Sequence, residues 1–319
     1  MKNIFILVFL LLVSIANCTQ SKDSDTNKTL GLGLGLLASN TNVNLTFNLT
    51  ADGRAFQFNT PITVAGQSNV TFRDARFYVS SVKLIRIDGG LSDVTLTSDN
   101  KWQTERVALL DYETGGVTVG GSGASGTADT NNRVIGTVAS GIYTGVQFEL
   151  GVPADLNHLS VSTASSPLNI QNMYWAWASG YKFVKLEFFT SSATNVTNFH
   201  LGSQNCPTTG ATPPTSGTCA NEFRPTIRVL GTTPLNISAT NITVDLDKWL
   251  DGYAGYSANR TCMPAQGLTT GGDNSCNSLL TNIGLQGRVS TSGTTPQYSG
   301  VDANAGKALS NFTNSVFKF

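Results

Sequence analysis

From Asn42 onward the chain alternates. Val43, Leu45, Phe47 and Leu49 stand at every second position with Asn or Thr between them, a period of two that gives a strand one apolar face and one polar face. The same pattern returns in Ala75–Leu84, in Gly145–Leu150 and in Tyr181–Phe188. These stretches are rich in Val, Phe and Thr and are separated by Gly, Asn and Ser clusters, which suit turns rather than helices. The expected fold is an all-β antiparallel β-sandwich with long loops. Helical periodicity is nearly absent. The best candidate is a short piece around Val244–Leu250, where Asp245, Asp247 and Trp249 surround a few apolar residues.

The first 40 residues follow other rules. Lys2 precedes an apolar run from Ile4 to Ile15, then Ala16, Asn17 and Cys18. That is the form of a secretory signal peptide, too short for the roughly 20 apolar residues of a membrane span. The Ile15-Ala16-Asn17-Cys18 stretch resembles a bacterial lipobox, so residues 1–17 are expected to be removed and Cys18 to carry lipid. Residues 18–40, polar and then a Leu-Gly repeat, read as a flexible tether. Residues 41–319 then form the folded domain of an exported, membrane-anchored lipoprotein of the periplasm, outer membrane or cell surface.

Composition excludes more than it identifies. Twenty Lys and Arg balance twenty Asp and Glu, and 13% of residues are charged, which gives no basic surface for nucleic acid. Beyond Cys18 there are four cysteines, Cys206, Cys219, Cys262 and Cys276, separated by 13 and 14 residues within pairs. An even number in an oxidising compartment implies two disulfides. Local pairing would staple two Gly-, Thr- and Ser-rich loops in the C-terminal third, although spacing alone leaves the connectivity open. A zinc site lacks the usual C-x₂₋₄-C spacing. Gly121-Ser122-Gly123-Ala124-Ser125-Gly126 fits G-x-G-x-x-G, but without a strand before it or a helix after it this is a loop. No G-x-S-x-G elbow supports a hydrolase.

The chemistry rests on few residues. The chain has two histidines, His158 after the third alternating stretch and His200 shortly before the first cysteine. Imidazole nitrogen suits copper or zinc, yet two loop histidines alone are more often structural.

Several stretches together resemble the MbnP-like family of copper-binding proteins: Phe72-Arg73-Asp74-Ala75-Arg76-Phe77-Tyr78-Val79-Ser80, Ala108-Leu109-Leu110-Asp111-Tyr112-Glu113, and Phe148-Glu149-Leu150-Gly151-Val152-Pro153 leading to Asn157-His158. Pro167-Leu168-Asn169, Met173-Tyr174-Trp175-Ala176-Trp177, Gly180-Tyr181-Lys182-Phe183 and Phe199-His200-Leu201-Gly202 with Cys206 continue the likeness in the same order. The resemblance runs from about Asn42 to Val229. It implies a non-enzymatic copper-binding protein with a partner dihaem peroxidase of the MbnH type, which oxidises a tryptophan to kynurenine. His158 and His200 would be metal ligands, and Trp175 or Trp177 the modified residue. Two imidazoles leave a copper shell incomplete, and an intact indole offers no lone pair; opening the indole leaves an aromatic amine that can bind. The nearness of Trp177 to Gly180-Tyr181 favours it slightly. The rival reading is a surface adhesin or carbohydrate-binding sandwich in which the tryptophans stack on sugar.

Overall fold

The first alternating stretch is a strand of 12 residues, Asn40–Ala51, in which Val43, Leu45, Phe47, Leu49 and Ala51 are buried. It opens at Asn40, so the tether expected to reach residue 40 stops just short of it. The computed structural model describes residues 39–115, 126–176, 179–190, 196–204, 206–207, 219–257, 260–262, 276–286 and 307–319. The expected signal peptide, Cys18, the Leu-Gly repeat, Gly121–Ser125 and Trp177 lie outside these described residues.

In chain order the described strands are β1 (Asn40–Ala51), β2 (Arg54–Ala55), β3 (Ile62–Val64), β4 (Gln67–Arg86), β5 (Leu91–Asp93), β6 (Thr95–Leu96), β7 (Val107–Asp111), β8 (Arg133–Ala139), β9 (Tyr143–Leu150), β10 (Tyr174–Ala176), β11 (Gly180–Tyr181), β12 (Val184–Phe189), β13 (Val196–Leu201), β14 (Thr226–Leu230), β15 (Thr240–Asp245), β16 (Arg260–Cys262) and β17 (Phe317–Lys318). One sheet runs β17-β15-β1-β8-β6, with β2 beside β1. The other large sheet runs β14-β9-β4-β12-β13-β16, with β3, β5 and β7 also against β4, and β10 and β11 form a small sheet of two strands. The architecture is all-β. Two pairings depart from the antiparallel expectation, since β1 with β15 and β13 with β16 are parallel.

Aromatic rings fill the space between the two sheets. Phe47 meets Phe148 edge-on at 5.4 Å, Phe148 meets Phe317 at 5.2 Å, and Phe77 meets Trp249 at 5.9 Å. Trp249 belongs to α1 (Leu246–Trp249), a single turn whose start is capped by Asp245, which accepts from the Lys248 amide at 3.3 Å. The expected helix around Val244–Leu250 is therefore shorter than its pattern, because Val244 and Asp245 are drawn into β15. Both disulfides join near neighbours in sequence, Cys206 with Cys219 and Cys262 with Cys276. The second ties β16 to the start of α2 (Asn277–Thr281).

Strand β4 departs from simple alternation, being buried without a break from Val70 to Ser80. Phe77 faces the other sheet. On the opposite side Tyr78 donates to the Pro167 carbonyl at 3.0 Å and packs on Tyr181. The segment from Gly151 to Lys182 thus covers a second face of this sheet, and it carries His158 and Trp175 with it.

Candidate metal centre

Register lines up ionisable side chains under that cover. His200 on β13 lies opposite Lys185 on β12, Lys185 opposite Arg76 on β4, and Arg76 opposite Asp111 on β7. Directly opposed residues of neighbouring strands share a face. A second row sets Glu187 opposite Asp74. All six of these side chains are buried, and buried charges need partners. The Arg76 guanidinium donates to Asp74 at 2.8 Å, Lys185 donates to Asp74 and lies 3.2 Å from Glu187, and Arg73 donates to Glu187 at 2.7 Å. Burial would raise the Glu187 carboxyl, but the His200 hydrogen bond and the charges of Lys185 and Arg73 outweigh it and hold the group well below the usual carboxylate range. Asp111 goes the other way, pushed up to about 7 by burial against the opposing charge of Arg76.

His200 ends this network. Its Nε2 is 2.8 Å from Glu187 Oε1, and burial pushes the imidazole below its ordinary value despite the carboxylate. A neutral ring beside an ionised carboxylate donates its Nε2 proton there, which leaves the lone pair on Nδ1. That nitrogen is buried and has no hydrogen-bond partner among the described residues. A carboxylate that fixes the ring through one nitrogen and leaves the other open is the usual setting of a metal-ligating histidine. Trp175, half-buried on β10, has its ring centroid 6.5 Å from that of His200. Its indole lies directly over Gly202, where any Cβ would collide with the ring.

His158 comes to the same end of the sheet from the covering segment. Asn157 accepts from the Tyr181 amide through Oδ1 at 3.0 Å. Its Nδ2 therefore faces His158 Nε2, at 3.3 Å, and because an amide nitrogen only donates, Nε2 holds a lone pair. Gly180 is in the left-handed region at φ +74°, and a side chain there would run into Asn157. Tyr181 pairs with Tyr174, the neighbour of Trp175. On its other side His158 Nε2 is 3.4 Å from Cys219 Sγ. The Cys206–Cys219 loop returns to the end of β13 through Gln204 and Asn221, which exchange backbone hydrogen bonds.

The expected site residues are thus partly united. Trp175 packs near His200, and His158 is joined through Asn157 and Tyr181 to Tyr174, the neighbour of Trp175. Trp177 lies outside the described residues, so the slight preference for it rests on sequence alone, whereas Trp175 stands beside a histidine. Among the described residues, the donor atoms of His158, Cys206 and Cys219 lie within 4.8 Å of one another. His200 is outside that group. Joined as a disulfide, the two sulfurs are not thiolates and leave His158 as its nitrogen donor. The donors of this arrangement are imidazole nitrogens, which fit copper or zinc better than hard cations.

Glu187, Asp74, Arg73, Arg76 and Lys185 were not singled out from sequence. Lys185 and Glu187 alternate with Val184, Leu186 and Phe188, which reads as a polar face toward water. The signal that marks them is the density of opposite charges on two adjoining strands.

Comparison with known proteins bears on the family and the fold. A model of the MbnP family matches residues 40–264. Among solved structures the chain is similar to MbnP from Methylosinus trichosporium, with a TM-score of 0.64 and 22% identity over 88% of this chain and 98% of that one. At that identity the likeness is one of fold. Comparison with curated proteins gives no match.

Proposed function

The chain belongs to the MbnP family, and on that premise we propose that it is an exported, lipid-anchored protein that binds copper through His158, His200 and a tryptophan oxidised to kynurenine by a partner dihaem peroxidase. The family is associated with copper handling. The observation that carries the reading is the buried Nδ1 of His200. It keeps a lone pair, has no hydrogen-bond partner among the described residues, and belongs to a ring fixed by Glu187. His158 Nε2 supplies a second nitrogen, held in place by Asn157. Trp175 is the favoured precursor of the third because its ring is near His200. Opening its indole gives an aromatic amine in place of a nitrogen that cannot coordinate. Bound copper supplies the one-electron or carrier chemistry. The chain's own groups orient the imidazoles and, through the covering segment, limit access of water. The role is copper acquisition or homeostasis, not catalysis, with Cys18 as the lipid attachment point.

The test is co-expression of the full chain with and without its dihaem peroxidase. Peptide mapping should place the kynurenine mass change at Trp175. Copper affinity should rise with that modification and collapse in His200→Ala and in His158→Ala, with the circular dichroism of the fold retained. Unmodified and modified proteins that bind copper equally would refute the site.

A further inference from the structure

The two disulfides are not alike. Cys262–Cys276 is sealed, its residues being 0% and 1% exposed, and among the described residues no histidine or carboxylate joins it in a metal-sized group. Cys206 is partly exposed, its partner Cys219 lies 3.4 Å from His158 Nε2, and both sulfurs and a ring nitrogen of His158 fall within 4.8 Å of one another. We propose that Cys206–Cys219 is a reducible latch on a second metal site. Opened by a dithiol, Cys206, Cys219 and His158 form a three-ligand site for Cu(I).

The frame around these residues does not depend on the sulfur bond. Gln204 and Asn221 exchange two backbone hydrogen bonds, of 2.8 and 3.2 Å, just outside the cysteines. Ser203 donates to the Glu222 carbonyl at 2.9 Å, and Asn157 keeps the His158 turn on Tyr181. Once the latch opens, the Gln204–Asn221 pair keeps the ends of the loop together, so the thiols remain close to His158. Three ligands then converge without refolding, and a pre-organised set costs less to assemble.

The chemistry is that of thiol–disulfide exchange. A thiolate of the reducing dithiol attacks the more exposed Cys206 sulfur, forms a mixed disulfide, and breaks the Sγ–Sγ bond with Cys219 leaving as a thiolate. The second thiol of the reductant attacks the mixed disulfide and departs as a cyclic disulfide. Two electrons and two protons have passed to the protein. On metal binding the two thiol protons are released, and the two thiolates and neutral His158 become the ligands. Thiolates select soft Cu(I), which is satisfied by three ligands, whereas a structural zinc requires a fourth. His158 is common to this site and to the nitrogen centre above, so the redox state of one disulfide decides which donor set it joins. The inference goes beyond the proposed function and stands without a modified tryptophan.

The mature full chain made without the peroxidase, and so carrying intact indoles, is the material for the test. It is reduced anaerobically with a phosphine, desalted, and titrated with Cu(I) against a chromogenic chelator. The reduced protein should bind one Cu(I) at least about tenfold more tightly than the unreduced protein, with near-ultraviolet thiolate-to-copper absorption. The gain should vanish in the Cys206→Ser/Cys219→Ser double variant and persist in Cys262→Ser/Cys276→Ser. Equal affinity in both redox states, or a gain that survives loss of Cys206 and Cys219, would overturn the proposal. His158→Gln should weaken binding. Should that variant fail to fold, X-ray absorption at the copper of the reduced wild type decides: sulfur with nitrogen supports the site, and sulfur alone overturns it. The nitrogen centre is tested on unreduced, kynurenine-bearing protein, so either site can fail without the other.

Discussion

Glu187 offers the sharpest test of how the fold prepares His200. Its carboxylate accepts the hydrogen bond of the imidazole Nε2–H at 2.8 Å and is itself held by Arg73 at 2.7 Å and by Lys185 at 3.2 Å. Glu187→Ala would strip two buried cations of their partner, a change that costs about 3–5 kcal/mol of stability and confuses folding with binding. Glu187→Gln keeps the shape and one acceptor oxygen. An amide, however, can also turn its NH₂ toward Nε2, which moves the ring proton to Nδ1 and blocks the nitrogen that would bind metal. Loss of a carboxylate behind a ligating histidine lowers metal affinity about 10–100-fold, equivalent to about 1.4–2.7 kcal/mol. The assay is a competitive copper titration of kynurenine-bearing wild type and Glu187→Gln, paired with urea denaturation to separate binding from stability. A variant of altered stability but wild-type copper affinity would show that Glu187 only neutralises its neighbours, and the argument for Nδ1 would fall.

Burial pushes Asp111 up to about 7, so the folded chain keeps a proton that the unfolded chain releases near pH 4. Stability should therefore fall as pH rises from about 4 to about 7; Asp111→Asn should flatten that slope, and an unchanged slope in a denaturation series would contradict it. Trp249 is fully buried between Phe77 and Phe317, and Trp249→Ala is expected to cost about 3–5 kcal/mol in chemical denaturation. The Cys262→Ser/Cys276→Ser variant should lose roughly 3 kcal/mol and keep its copper affinity, and a lowered affinity would mean that this staple supports the metal centre. Thiol titration of the denatured, unreduced mature chain should find none of the four paired cysteines free.

Much of the scaffold can be read along the chain because its causes are local. Alternation in Val43–Leu49 makes β1 whatever surrounds it, since a strand with one apolar face has one way to bury it. Cysteine number and spacing pointed to the two staples, and the ordered stretches ending in Asn157-His158 and Phe199-His200 carried the family resemblance. The centre itself is different in kind. Lys185 and Glu187 show a polar face that local pattern assigns to water, and only the covering segment from Gly151 to Lys182, which has no periodicity to announce where it packs, turns that face into a buried charge network. Cross-strand register then sets His200 beside Lys185, Arg76 and Asp111, residues far apart in the chain. Register and cover are long-range choices decided by summed packing over both sheets. They determine that His200 Nδ1 has no partner among the described residues, that Trp175 lies near His200, and that Cys219 touches His158.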